Sequence, residues 1–158
     1  MNILFVCLGN ICRSPTAEIV FRDIAAQEAP ELRLTVESAG TGGYHIGAPP
    51  DPRTQEAARR RGYDLSGCRA RIVEPEDFER FDLLLAVDRS TRTALVRRAP
   101  PPAASKVRLL LEYVPDLELD DVPDPYYGGP NGFEHVLDLI EAAARGLLRE
   151  LRSTSRAA

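Results

Sequence analysis

A cysteine and an arginine stand near the start of the chain with five residues between them, in Cys7-Leu8-Gly9-Asn10-Ile11-Cys12-Arg13-Ser14. A thiolate is a strong nucleophile, and a guanidinium presents a planar fork of donors able to grip two oxygens of one anion. A five-residue loop curled back on itself turns the backbone N–H groups of residues 8–13 inward, making a nest for a tetrahedral oxyanion. With a helix starting at Ser14-Pro15, Cys7 lies at the bottom of that nest, where the helix dipole and Arg13 favour thiolate over thiol. The chemistry this points to is attack of sulfur on phosphorus. The bland alternative is a buried strand-end cysteine beside a helix-start arginine, but Gly9, Asn10, Ser14 and Pro15 each occupy a position such a loop needs. A second group lies far downstream, in Asp124-Pro125-Tyr126-Tyr127-Gly128-Gly129. A residue before proline is extended or turned, so the Asp124 carboxyl is presented from a loop. The paired tyrosines suit the wall of an aromatic pocket, or else the tip of a solvated surface turn.

These residues need a scaffold that brings them to one place. Apolar runs bounded by turn residues predict strands over 2–7, 32–39, 82–87 and 106–110, with helices over 15–27, 52–61, 89–98 and 133–151 between and after them. Alternating strands and helices predict an α/β fold: a twisted, Rossmann-like sheet of four parallel strands with helices on both faces. In the last helix Phe133, Val136, Leu137, Ile140, Ala144, Leu147, Leu148 and Leu151 recur at helical spacing and form one core stripe. The phosphate-binding loop follows strand 1, where α/β sheets bind ligands. No repeat or linker interrupts residues 1–158, which read as a single phosphatase domain.

Composition narrows the function classes. With 44% hydrophobic and 28% charged residues, the chain reads as an ordinary globular protein. A net charge of −4 argues against a nucleic-acid partner. The Arg59-Arg60-Arg61 run reads as a solvated helix face. No apolar stretch is long enough to span a membrane, and the N-terminus has no signal-peptide pattern. Three cysteines, two of them inside the loop, do not form a disulfide framework. A thiolate nucleophile needs a reducing compartment, so the cytoplasm is expected. There is no histidine and carboxylate cluster at metal-ligand spacing, and no metal or cofactor is required.

Taken together the motifs resemble the low-molecular-weight protein tyrosine phosphatases nearly end to end. The resemblance includes the N-terminal loop, Ser38-Ala39-Gly40-Thr41, Gly47-Ala48-Pro49-Pro50-Asp51-Pro52-Arg53, Ala70-Arg71, Phe81-Asp82, Val87-Asp88 and Asp124-Pro125-Tyr126-Tyr127-Gly128. It implies hydrolysis of phosphotyrosine in proteins, or of aryl phosphates, through a phosphocysteine, by a monomeric enzyme inhibited by phosphate-like oxyanions. Cys7 is then the nucleophile, Arg13 and the loop N–H groups of Leu8, Gly9, Asn10, Ile11 and Cys12 hold the phosphoryl oxygens, and Asp124 serves as acid and then base. Ser14 donates to the thiolate, caps the helix, or does both. Asn10 and Gly9 suit backbone of positive φ. Tyr44, Tyr126 and Tyr127 form the aromatic slot. Cys12 is a buried filler or, as the family implies, the thiol that traps oxidised Cys7 as a disulfide. His45 and His135 read as ordinary surface residues.

One departure stands out: Cys68 occupies the position of a family histidine two residues before Ala70-Arg71, so the bracing behind Asn10 and Ser14 is expected to differ. Thiol-dependent arsenate reductases share the fold but need two further cysteines. Protein-arginine phosphatases carry threonine where this chain has Ile11, a bulky wall that favours a flat aromatic group. A non-catalytic phosphotyrosine-binding module has no use for Asp124.

Overall fold

Strand β1 (Asn2–Cys7) is apolar at every position from Ile3 to Val6, and all of these side chains are buried. Such a run suits the middle of a parallel sheet covered on both faces. In the computed structural model, which describes residues 1–125 and 130–157, it lies between β2 (Thr35–Gly40) and β3 (Leu83–Ala86), with β4 (Val107–Leu109) outside β3. Among the described residues the order is β2-β1-β3-β4, and every pairing is parallel. The predicted strand at 32–39 forms only from Thr35, because β1 supplies no partner before Asn2, which pairs with Thr35. Leu32 and Leu34 still pack on the core.

The helices are α1 (Arg13–Glu28), α2 (Pro52–Arg60), the short α3 (Asp77–Arg80), α4 (Arg89–Arg98) and α5 (Pro130–Ala157). The two-residue period of β1 sends Ile3, Phe5 and Cys7 into one core with α1 and α5, and Leu4 and Val6 into another beneath α3 and α4. Phe5 meets Phe21 of α1 edge to face, with ring centroids 5.8 Å apart. Each of these buried rings contributes about 2–3 kcal/mol by area removed from water. The predicted solvated face at residues 59–61 needs correction. Arg59 and Arg60 do pair with exposed Glu56, but Arg61 turns toward α5 and binds Glu134 at 2.7 Å, Asp138 at 2.8 Å and Glu141.

For the site, the strand order matters most. From β1 the chain crosses through α1 to β2 on one side, while β3 lies on the other, so the C-terminal end of β1 opens onto a crevice. Cys7 ends that strand.

Candidate active site

The chain between β1 and α1 wraps into a loop with Cys7 at its base. Asn10 adopts φ 58°, the left-handed conformation its short polar side chain tolerates. Its backbone N–H then donates to Cys7 Sγ at 3.2 Å. Its side chain is fully committed: Nδ2 donates to Ser14 Oγ at 2.8 Å and to Ser38 Oγ at 3.0 Å, and Oδ1 accepts the Arg71 N–H at 2.9 Å. Gly9 is not at positive φ, contrary to expectation; its missing Cβ instead leaves room for the His45 ring, whose Cδ2 would lie 3.1 Å away.

Ser14 is fully buried and its Oγ lies 2.9 Å from Cys7 Sγ. That oxygen already accepts from Asn10, and its other neighbour, the Ala39 carbonyl, is farther away at 3.4 Å. The hydroxyl is thus placed to donate to a Cys7 thiolate. The expected capping role does not form. Helix α1 begins two residues before the expected 15–27, at Arg13, with Cys12 in the cap position and no side-chain cap bond.

Arg13, 6% exposed, is held from behind. One terminal nitrogen donates to Asp88 Oδ2 at 2.7 Å and to the Val122 carbonyl at 2.9 Å. Burial disfavours the charge on Asp88, yet hydrogen bonds from Thr91 and the Arg13 guanidinium outweigh it and hold the carboxyl below its ordinary value. Asp88 also caps α4 by accepting the Thr91 N–H at 2.8 Å.

Cys7, Leu8, Gly9, Ile11, Cys12, Arg13, Tyr44, His45 and Asp124 line one open cleft. The structure thus brings the loop, Tyr44 and Asp124 together across 117 residues of sequence. Tyr126 and Tyr127 lie outside the described residues. His45 belongs to this rim rather than to an unrelated surface, whereas His135 is exposed on α5. Cys12 shares the cleft with Cys7, but burial pushes its thiol up to about 12, with the nearby Thr54 hydroxyl opposing and Asp51, Cys7 and Asp124 reinforcing. Cys68 is elsewhere, packed against Ile19, Ala58 and Leu65, its thiol raised to about 11 chiefly by burial and then by Glu18.

With cysteine at the family's histidine position, the bracing behind the loop is completed by other groups. Ser38 Oγ donates to Glu18 Oε1 at 2.6 Å, and Arg22 holds Glu18 Oε2 at 2.7 Å. Sequence reasoning did not single out Glu18, Ser38, Asp88 or His45 as site residues. A signal existed for Glu18, one turn after Ser14 on the same helix face, and for Asp88, directly after the β3 run. None marked His45.

A buried thiol at a strand end, a loop N–H aimed at its sulfur and a guanidinium braced at the switch point of a parallel sheet define a cysteine-dependent phosphoryl-transfer enzyme of α/β type. The chain belongs to the low molecular weight phosphotyrosine protein phosphatase family, whose sequence profile it matches over residues 2–157. It is a hydrolase of phosphoric monoesters that works through a phosphocysteine. It is 45% identical over 152 residues to the low molecular weight protein-tyrosine-phosphatase YfkJ of Bacillus subtilis, covering 96% of each chain. A protein tyrosine phosphatase from Entamoeba histolytica, crystallised with Hepes in its active site, superposes with TM-score 0.93 at 36% identity, covering 98% of this chain and 99% of that one. The YwlE arginine phosphatase, as a mutant with a phosphorylated active-site serine, superposes with TM-score 0.88 at 31% identity and 99% coverage of both. Among the described residues no helix is long and apolar enough to cross a membrane.

Proposed function

We propose that this chain dephosphorylates phosphotyrosine in proteins with Cys7 as nucleophile, Arg13 as phosphate clamp and Asp124 as general acid. The observation that carries the reading is the convergence at Cys7. Its sulfur receives the Asn10 N–H and faces the Ser14 hydroxyl, in a cleft lined also by Arg13 and Asp124. In the first step Cys7 Sγ bonds to phosphorus while the bond to the tyrosine oxygen breaks, and Asp124 gives its proton to that oxygen. Arg13 and the N–H groups of residues 8–13 stabilise the equatorial oxygens. In the second step Asp124 takes a proton from the water that attacks phosphorus. Phosphate leaves, and Ser14 stabilises the departing Cys7 thiolate.

Ile11 and Tyr44 form an apolar wall suited to an aromatic ring, and Tyr126 and Tyr127 complete the slot in this reading. Hepes in the active site of the Entamoeba relative supports inhibition by phosphate-like oxyanions here. The enzyme acts as a monomer in the cytoplasm, with neither nucleic acid nor membrane as partner. The likeness to an arginine phosphatase makes phosphoarginine the competing substrate, and Ile11 is the residue that disfavours it.

The test is turnover of matched phosphotyrosine and phosphoarginine peptides by the wild type and by Cys7→Ser. The wild type should prefer phosphotyrosine, and Cys7→Ser should lose turnover while still binding vanadate. Preference for phosphoarginine would overturn the substrate reading; substantial turnover by pure Cys7→Ser would overturn the mechanism.

A further inference from the structure

We propose that the Arg89–Asp121 ion pair is a clasp that positions Asp124 for proton transfer, which makes Arg89 and Asp121 positioning residues for the reaction. The inference rests on Asp124 being the general acid.

Residues 118–124 form neither helix nor strand, so the direction of Asp124 depends on where that segment is tied down. One tie is Val122, fully buried, whose N–H donates to the Val87 carbonyl at 2.8 Å and whose carbonyl accepts from Arg13 at 2.9 Å. A segment held at one residue can still pivot about it. The second tie is Asp121. Its Oδ1 accepts the Arg89 backbone N–H at 2.8 Å and Arg89 Nε at 3.2 Å, and its Oδ2 accepts the terminal guanidinium nitrogen at 3.1 Å. With Arg89 Nε also 3.4 Å from Oδ2, four bonds from one residue, three of them from the planar fork, fix both the place and the rotation of the carboxylate. Pro123 and Pro125, each with φ set by its ring, flank Asp124 and leave little slack between the ties and the acid.

The receiving side is equally compact. Val87, Asp88 and Arg89 are consecutive: the first accepts from Val122, the second braces Arg13, and the third holds Asp121. The carboxylates of Asp88 and Asp121 both receive N–H groups from the first turn of α4, where the helix dipole favours negative charge. One short stretch after β3 thus sets both the phosphate clamp and the segment bearing the acid. The Arg89 hydrogen bonds hold the Asp121 carboxyl below its ordinary value, which favours the charged form of the pair.

The experiment compares kcat/KM for phenyl phosphate, whose leaving group needs a proton, with p-nitrophenyl phosphate, whose leaving group needs it far less. Arg89→Ala and Asp121→Ala should each lose roughly tenfold on the phenyl ester and less than about twofold on the nitrophenyl ester. Asp121→Asn, which keeps an acceptor for the Arg89 N–H, should fall between them and the wild type. In an Asp124→Ala background, adding Arg89→Ala should cost nothing further. Equal losses on both esters with weaker inhibition by inorganic phosphate would overturn the inference, because the clasp would then serve Arg13. So would unchanged kinetics with only a lower Tm. If Asp124→Ala itself lost equally on both esters, the general-acid reading would fail first; selective loss there with none in Arg89→Ala would sink the clasp alone.

Discussion

Cys7 and Cys12 line the same cleft, yet their surroundings divide the work between them. Cys7 faces two hydrogen-bond donors, while Cys12 is buried against Thr54 with carboxylates nearby, and its thiol is raised to about 12. Cys12 therefore stays protonated at neutral pH and does not compete as nucleophile. The same shift bears on its proposed redox role. To close a disulfide, Cys12 must attack the Cys7 sulfenic acid as thiolate, with hydroxide leaving. Below the raised value the thiolate fraction grows roughly tenfold per pH unit, so trapping should be slow near pH 7 and faster at pH 8 by about that factor. The check is the rate at which peroxide-treated enzyme enters its dithiothreitol-recoverable form at each pH, with Cys12→Ser recovering nothing. A pH-independent rate, or loss of recovery in Cys68→Ser instead, would show that another group traps Cys7. Cys68, half-buried against apolar side chains outside the cleft, is a poor rival.

At the scale of elements, the loop after β1 is braced rather than free. Thr41 N–H donates to the Cys7 carbonyl at 2.9 Å, Gly42 N–H to the Leu8 carbonyl at 2.9 Å, and Asp51 N–H to the Ile11 carbonyl at 2.9 Å. Asn10 is the interior brace, combining positive φ with its side-chain bonds. Asn10→Ala keeps a Cβ in left-handed backbone without the short polar side chain that makes asparagine tolerate it, at up to roughly 1 kcal/mol, and strands buried partners at about another 1–3 kcal/mol. Stability should fall accordingly in urea unfolding. With the loop holding the phosphoryl group as proposed, kcat/KM should drop by a similar factor on phenyl and nitrophenyl esters, unlike the selective pattern expected at Asp124. Asn10→Gly keeps the backbone freedom and should recover part of the stability but little of the activity. A leaving-group-selective loss in Asn10→Ala would contradict this division. Much of this was legible: the Asn at the turn, the serine one turn later and the strand before them sit within a short window. The capping expectation for Ser14 was not met because α1 starts at Arg13 and the Ser14 hydroxyl faces Cys7 and Asn10 instead.

For the whole molecule, α5 is the piece that closes the core, lying on α1 and on the 3-10 turn Leu110–Tyr113. Gly146 sits inside this helix, where alanine is normally better by about 1 kcal/mol. Here a Cβ would run into the Tyr113 carbonyl oxygen and neighbouring backbone, which cannot retreat without moving that turn. The overpacking cost of roughly 1–3 kcal/mol should outweigh the propensity gain. Gly146→Ala is expected to lower Tm while leaving activity intact well below the transition. A raised Tm would mean that helix and turn do not meet as closely as described.

The spacing of Cys7 and Arg13, the strand before them, the Asp124-Pro125 turn and the apolar stripe of α5 are properties of short windows. Hydrogen-bond geometry, side-chain period and proline stereochemistry act over a few residues, so sequence alone determined the loop from Cys7 to Arg13, the order of the four strands and longer helices, and the fold class, though not the short α3. The partners of those groups were decided elsewhere. Asp88 and Val122 reach Arg13 because the order β2-β1-β3-β4 sets the C-terminal ends of β1 and β3 side by side. His45 reaches the rim because Gly9 leaves it space, and Arg61 leaves solvent because α5 offers three carboxylates. No local pattern encodes such meetings; they exist only once the sheet is assembled and packing has chosen which distant side chains share a surface.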